Sequence, residues 1–222
     1  MLSSLSTHAS SLALLLCLDF VASRCTRGSR KQEHTRWCAL HALSNLVIAA
    51  VAWPSLCALA DDPLSDSDPC FPAVLAVQLH AYHAFRFDLS LDDRAHHFLF
   101  VAVLGFPSLA YPHRATHAML FFLSGLPGAI IYALVAARRC GLARSVDERG
   151  VSALVNLCFR APGVVYVLSR FAPALLFSHS PSSSLHAPPP LWVALMQLSL
   201  PAANVFFYAA QAVRRLPFRG RG

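Results

Sequence analysis

Seven long apolar segments dominate the chain, near residues 5–23, 37–60, 72–91, 95–111, 115–137, 150–177 and 191–213, with short polar connections between them. Most approach the ~20 residues that a helix needs to cross a hydrocarbon core of about 30 Å. Every backbone N–H and C=O in lipid must be satisfied within the protein, so these segments read as helices. The expected fold class is therefore all-α, a multi-pass transmembrane helical bundle of six or seven spans around a polar interior. The composition agrees: 56% of the 222 residues are hydrophobic and only 13% are charged, where a soluble domain carries about 25% charged residues. The fourth segment is the weakest, being short and interrupted by Pro107. The sixth carries Arg160, Pro162, Arg170 and Pro173, and is expected to be kinked or tilted.

The connections alternate in charge. Residues 24–36 hold Arg24, Arg27, Arg30, Lys31 and Arg36, whereas the next connection holds four aspartates between Asp61 and Phe71 and no Lys or Arg. Arg86 and Arg94 flank the third connection, and the fourth has Arg114 alone. The fifth has Arg138, Arg139, Arg144 and Arg149, and the Ser/Pro-rich sixth (178–190) has none. The tail has Arg214, Arg215, Arg219 and Arg221. One side thus collects 15 of the 18 basic residues, with Arg160 and Arg170 inside a span. The positive-inside rule then places the N-terminus outside or in a lumen and the C-terminus in the cytosol. Basic residues clustered in this way orient spans, so the net charge of +7 is not read as a nucleic-acid surface. The segment 178–190 reads as a flexible lumenal loop.

Residues 1–23 admit two readings. A retained span would be anchored N-out by the basic cluster after it. A signal peptide would end at Val21-Ala22-Ser23 and leave six spans of unchanged orientation. The chain divides into 1–34 (first segment and basic loop), 35–215 (transmembrane domain) and 216–222 (basic cytosolic tail). The seven cysteines contain no CxxC pair and read as small buried apolar residues rather than a disulfide framework.

Polar residues recur inside the segments at helical offsets, which place side chains on one helix face. His41 and Asn45 are i, i+4, and His80 and His83 are i, i+3. Asn156 and Arg160 are i, i+4 and continue to Gly163, while Gln197, Asn204 and Gln211 repeat every seven residues beside Tyr208. In lipid such faces turn toward other helices or a wet cavity, or supply interhelical hydrogen bonds. An intramembrane guanidinium at Arg160 needs an anionic or carbonyl partner. Ser124 and Gly128 form a small-xxx-small pair suited to close helix packing.

The densest polar island runs from His80 and His83 to Asp92, Asp93, Arg94, His96 and His97. A metal-dependent membrane lipid hydroxylase would use such histidines, but its pattern of HxxxH with two HxxHH boxes needs more ligands than HxxH and a bare HH supply. HExxH zinc chemistry is absent, and a haem ligated across helices is unconstrained here. A general base is the more natural role. A neutral histidine accepts a proton from an amine or hydroxyl nucleophile, and Asp92 or Asp93, three or four residues before His96 and His97, stands at helical spacing to orient it. The competing structural role is a helix start capped by Asp92 or Asp93 with solvated histidines.

Asp93-Arg94-Ala95-His96-His97 opening an apolar span resembles the Asp-x-x-His-His signature of the TLC domain. That domain is shared by ceramide synthases, the translocating-chain-associating membrane protein and related lipid-linked proteins. Arg36-Trp37 entering an early span, the polar-aromatic helix before the His pair and the Asn156/Arg160 span agree with it, and the resemblance covers roughly residues 35–215. No His-Asp or Ser-Asp pair follows downstream, so the non-synthase branch is the closer match.

The resemblance implies an endoplasmic-reticulum protein of lipid metabolism. Its catalytic residues would be His96, His97 and Asp93, and its substrate-binding residues His80, His83, His117, Asn156 and Arg160. As an enzyme it would transfer an acyl group from acyl-CoA, a co-substrate, to a lipid amine or alcohol, with Arg160 holding a phosphate or a developing oxyanion. As a non-enzyme it would sense or scaffold membrane lipids. No metal or other cofactor is expected, the partners are membrane lipids, and self-association is compatible with the chain.

Overall fold

The structure, a computed structural model, describes residues 5–29, 31–65, 70–89, 91–177 and 189–215, without the side chains of 92, 93, 102–104 and 215. The described residues form seven helices and no strand: α1 (Leu5–Cys25), α2 (Gln32–Cys57), α3 (Phe71–Arg86), α4, α5 (Arg114–Arg139), α6 (Ser145–Phe177) and α7 (Leu191–Arg215). Helix α4 runs without a break through Leu91–Phe98, a π-helical turn Leu99–Gly105 and Phe106–Ala110. The loop expected at 178–190 and the tail at 216–222 lie almost wholly outside the described residues.

Five helices, α1, α2, α5, α6 and α7, are long and apolar enough to cross a membrane. The other two expected segments fall short for different reasons. Helix α3 has 16 residues, a length of about 24 Å against a core of about 30 Å. Helix α4 spends its opening turns on Asp92, Asp93, Arg94, His96 and His97. In sequence these two lie between α2 and α5, and the loop after α2 is tied to the start of α5. Arg114 N–H donates to Ser65 O at 2.9 Å and Ala115 N–H to Pro63 O at 3.0 Å.

The helices sort the connections by charge. At one end Arg139 donates to His34 Nε2 at 3.2 Å, and Arg138 pairs with Glu148 at 3.0 Å. At the other end Arg114 Nη1 donates to the carbonyls of Ala58 and Asp62 at 3.0 and 3.1 Å, and Arg170 Nη2 to Ala60 O at 2.7 Å. Both guanidiniums thus bind the turn that follows α2, Arg114 reaching its C-cap carbonyl at Ala58, where a cation complements the helix dipole. Arg170, expected within a span, reaches that end.

Three π-helical turns share one cause. Phe106, Leu126 and Ala161 donate their N–H groups five residues back, to Val101, Phe121 and Asn156. Each of these donors directly precedes a proline: Pro107, Pro127 or Pro162. Proline lacks an N–H and its ring crowds the carbonyl four residues earlier; a turn widened by one residue relieves the clash and keeps the helix continuous. The kink expected in the sixth segment is thus, at Pro162, a widened turn.

Packing is tightest between α2 and α5. A methyl added at Gly125 would lie 3.2 Å from Ala49 Cα, and one at Gly128 would lie 2.5 Å from Asn45 Nδ2. Small residues allow this approach where no hydrophobic effect drives helices together. Ser124 turns its hydroxyl back to Leu120 O, so the packing pair is Gly125 and Gly128 rather than Ser124 and Gly128. Around this seam lie two apolar clusters, one from α1, α2 and α3 (Leu15, Leu40, Leu79) and one from α2, α5 and α6 (Ala52, Phe122, Val167). Of the seven cysteines only Cys38 is buried, and Cys17, Cys25, Cys57, Cys140 and Cys158 are exposed. This corrects the expectation of burial: in a bundle whose outer surface meets lipid, an apolar thiol is as well placed outside as inside.

Candidate functional site

Helices α2, α3 and α4 bring five imidazoles together at the end that gathers the basic connections. His80 and His83 are buried on one face of α3, His97 is buried on α4, and His96 beside it is half-buried. His41 joins them from α2, with ring centroids 5.3 Å from His83 and 5.9 Å from His80. The closest pair is His83 Nδ1 and His97 Nε2, hydrogen-bonded at 3.0 Å. His80 stacks on Phe100 at 4.1 Å and lies 5.1 Å from His97 and 5.7 Å from His96.

Backbone carbonyls fix two of the tautomers. His80 Nδ1–H donates to Ala76 O at 2.7 Å, and His41 Nδ1–H to Trp37 O at 3.2 Å. Each ring thereby keeps its Nε2 lone pair as an acceptor. Trp37 covers the cluster, 4.4 Å from His41 and 4.5 Å from His83, and Tyr132 of α5 closes it 4.9 Å from His41. No three His, Cys, Asp or Glu side chains among the described residues are arranged to hold a metal ion. The rings pack face and edge on one another, and their nitrogens do not converge on a common point.

Four of the expected site residues, His80, His83, His96 and His97, therefore meet. Asp93 lies in α4, but its side chain is outside the described residues, so the expected orienting carboxylate has no structural account. His117 is buried on α5 fifteen residues before Tyr132, about 22 Å along the helix and toward the opposite end. It stands apart from the cluster.

Asn156 and Arg160 form a second polar centre. Arg160 Nη1 donates to Asn156 Oδ1 at 2.6 Å, and the guanidinium lies over the Tyr208 ring of α7 at 4.9 Å. The centre opens on a cavity of about 180 Å³ between α5, α6 and α7, lined by Tyr132, Ser152, Asn156, Arg160, Tyr208 and Gln211 among others. Tyr132 belongs to both centres. Of the last span's polar stripe, Gln211 reaches this cavity, while Gln197 is buried near Thr116 and Phe171.

Two features escaped sequence reasoning. His41 was expected only as half of a polar face with Asn45, and the geometry makes it a member of the histidine cluster. The second feature is an ion pair between the first two helices. Asp19 of α1 accepts from Arg36 Nε at 2.7 Å and from its Nη2, and Tyr82 OH of α3 donates to Asp19 Oδ2 at 2.6 Å. A carboxylate within an apolar run was the available signal.

Fold and site together define an all-helical integral membrane protein with clustered buried polar groups. No family model, no curated protein and no solved structure matches the chain.

Proposed function

We propose that the protein binds membrane lipid and acylates a lipid amine or alcohol from acyl-CoA, at a site centred on His83 and His97. The observation that supports this is the 3.0 Å contact between His83 Nδ1 and His97 Nε2 within a cluster of imidazoles. As the nucleophile attacks the thioester carbonyl, a neutral imidazole takes its proton. The new C–N or C–O bond forms, the C–S bond breaks, and the proton passes to the departing CoA thiolate. The contact lets one ring orient the other, the role the sequence assigned to Asp93. A resemblance to the non-synthase TLC branch, through Asp93-Arg94-Ala95-His96-His97, supports the lipid assignment.

The same proposal holds that α3 and α4 complete seven spans and that α1 is retained. Asp19 favours retention, because cleavage after Ser23 would strip Arg36 and Tyr82 of their common acceptor. Charge alternation supports an outside or lumenal N-terminus and a cytosolic C-terminus, and the TLC resemblance supports the endoplasmic reticulum. In intact microsomes carrying single-cysteine variants, an impermeant maleimide should label Cys140 and reach Cys70 only after permeabilisation.

Purified protein in lipid vesicles with labelled acyl-CoA tests the chemistry. His83→Ala and His97→Ala should each lower the CoA-dependent lipid product by about 10²–10⁴-fold at unchanged protein abundance. A wild-type protein that forms no such product, in cells whose lipid classes are unaltered by its loss, would overturn the proposal. Lipid sensing without turnover is the second reading, favoured by the Arg160 cavity, which lies beside the histidines rather than among them.

A further inference from the structure

Arg160 is a buried cation without a counter-charge among the described residues. It is 6% exposed, and the three ion pairs among the described residues use Arg36, Arg138 and Arg144 instead. Its contacts are a neutral amide, Asn156, and the face of Tyr208. Its Nε has no hydrogen-bond acceptor among the described residues. A charge held at membrane depth is costly and normally finds a partner.

The cavity beside it is unfinished in the same sense. Ser152 lies two helical turns before Arg160 and lines the same cavity, and its Oγ is also buried without a partner among the described residues. Exposed Arg149 adds a second positive charge to the lining, and the one carboxylate there, Glu148, is engaged by Arg138 at 3.0 Å. The cavity is thus net positive and lined with donors. Its volume of about 180 Å³ equals the liquid volume of about six waters. That leaves room for a phosphate group.

We infer that the cavity between α5, α6 and α7 is a binding site for a phosphate oxyanion, supplied by the headgroup of a phosphomonoester lipid. Arg160 is the counter-ion and Ser152 a hydrogen-bond donor. Guanidinium and hydroxyl together match an anionic tetrahedral group. Tyr132 lines this cavity and also packs 4.9 Å from His41, so a headgroup held here shares a wall with the histidine cluster. The inference deepens the lipid reading by naming the charged end of the ligand. It does not depend on turnover, so protein inactive with acyl-CoA still tests it.

The experiment measures binding of dioctanoyl phosphatidic acid to the purified full chain in neutral nanodiscs, with dioctanoylglycerol and inorganic phosphate as the other probes. Phosphatidic acid should bind and the glycerol lipid should not. Arg160→Gln should weaken binding about 30-fold and Ser152→Ala about tenfold, in line with lost hydrogen bonds to a charged group. Ser152→Ala carries the test if Arg160→Gln does not fold. Inorganic phosphate that competes only at far higher concentration supports the lipid source. Inorganic phosphate that binds as tightly as the lipid overturns that source in favour of a soluble phosphate. Phosphatidic acid binding equally to wild type, Arg160→Gln and Ser152→Ala, or not binding at all, overturns the site.

Discussion

Arg36 and Arg160 are treated in opposite ways by the same bundle. Arg36 meets both oxygens of Asp19, which also accepts from Tyr82, so three helices share one satisfied charge. Arg160 is more deeply buried, yet among the described residues it meets a neutral amide and an aromatic face and no carboxylate. The first arrangement closes the α1–α3 region on itself. The second leaves the α5–α7 region with a charge and a cavity that the described residues do not fill. A paired charge among tightly packed helices reads as structure, and an unpaired one beside a cavity reads as a site.

Substitutions can break this contrast or sharpen it. Asp19→Ala should have the largest effect on stability, since it strands Arg36 and Tyr82. The loss is about 3 kcal/mol, the low end for breaking a buried pair because Arg36 is partly open, and is measured as thermal unfolding in nanodiscs. Gly163→Ala comes next. Its methyl would collide with the Phe122 ring, and overpacking of this kind costs about 1–3 kcal/mol. That result would show that the open cavity adjoins rigid packing rather than a loose region. Gly128→Ala should cost about 1 kcal/mol or less, because its methyl meets Asn45 Nδ2, the end of a side chain able to turn away. Arg160→Met should have the smallest effect or raise stability, since it removes an uncompensated charge from the interior. If Arg160→Met were as damaging as Asp19→Ala, the two arginines would be alike.

Much of this was legible beforehand, for identifiable reasons. Apolar length fixes helices in lipid, so each of the seven segments recurs as a helix; α4, flagged by Pro107, is one of the two that are not by themselves long and apolar enough to span. Spacing placed His80 and His83 on one face, and the short α3–α4 connection carried His96 and His97 back to them. What stayed hidden depends on pairing between helices. Asp19 is six residues before the end of α1 and Arg36 four into α2, so they are level only in an antiparallel hairpin. Periodicity identified His41 with Asn45 but not the neighbour it faced. His117 shares residue type and apolar context with the cluster, and only its position along α5 separates it. The π-turns stayed hidden because proline in a continuous helix does not always widen it: turns widen before Pro107, Pro127 and Pro162, while Pro54, Pro173 and Pro201 sit in α-helical turns.

The most direct test is thermal unfolding of Arg36→Met and Arg160→Met in nanodiscs of neutral lipid. The account predicts opposite responses: Arg36→Met lowers the unfolding temperature by stranding Asp19, and Arg160→Met leaves it unchanged or raises it. A fall of similar size in both variants would contradict the claim that one charge is closed and the other is held open for a ligand.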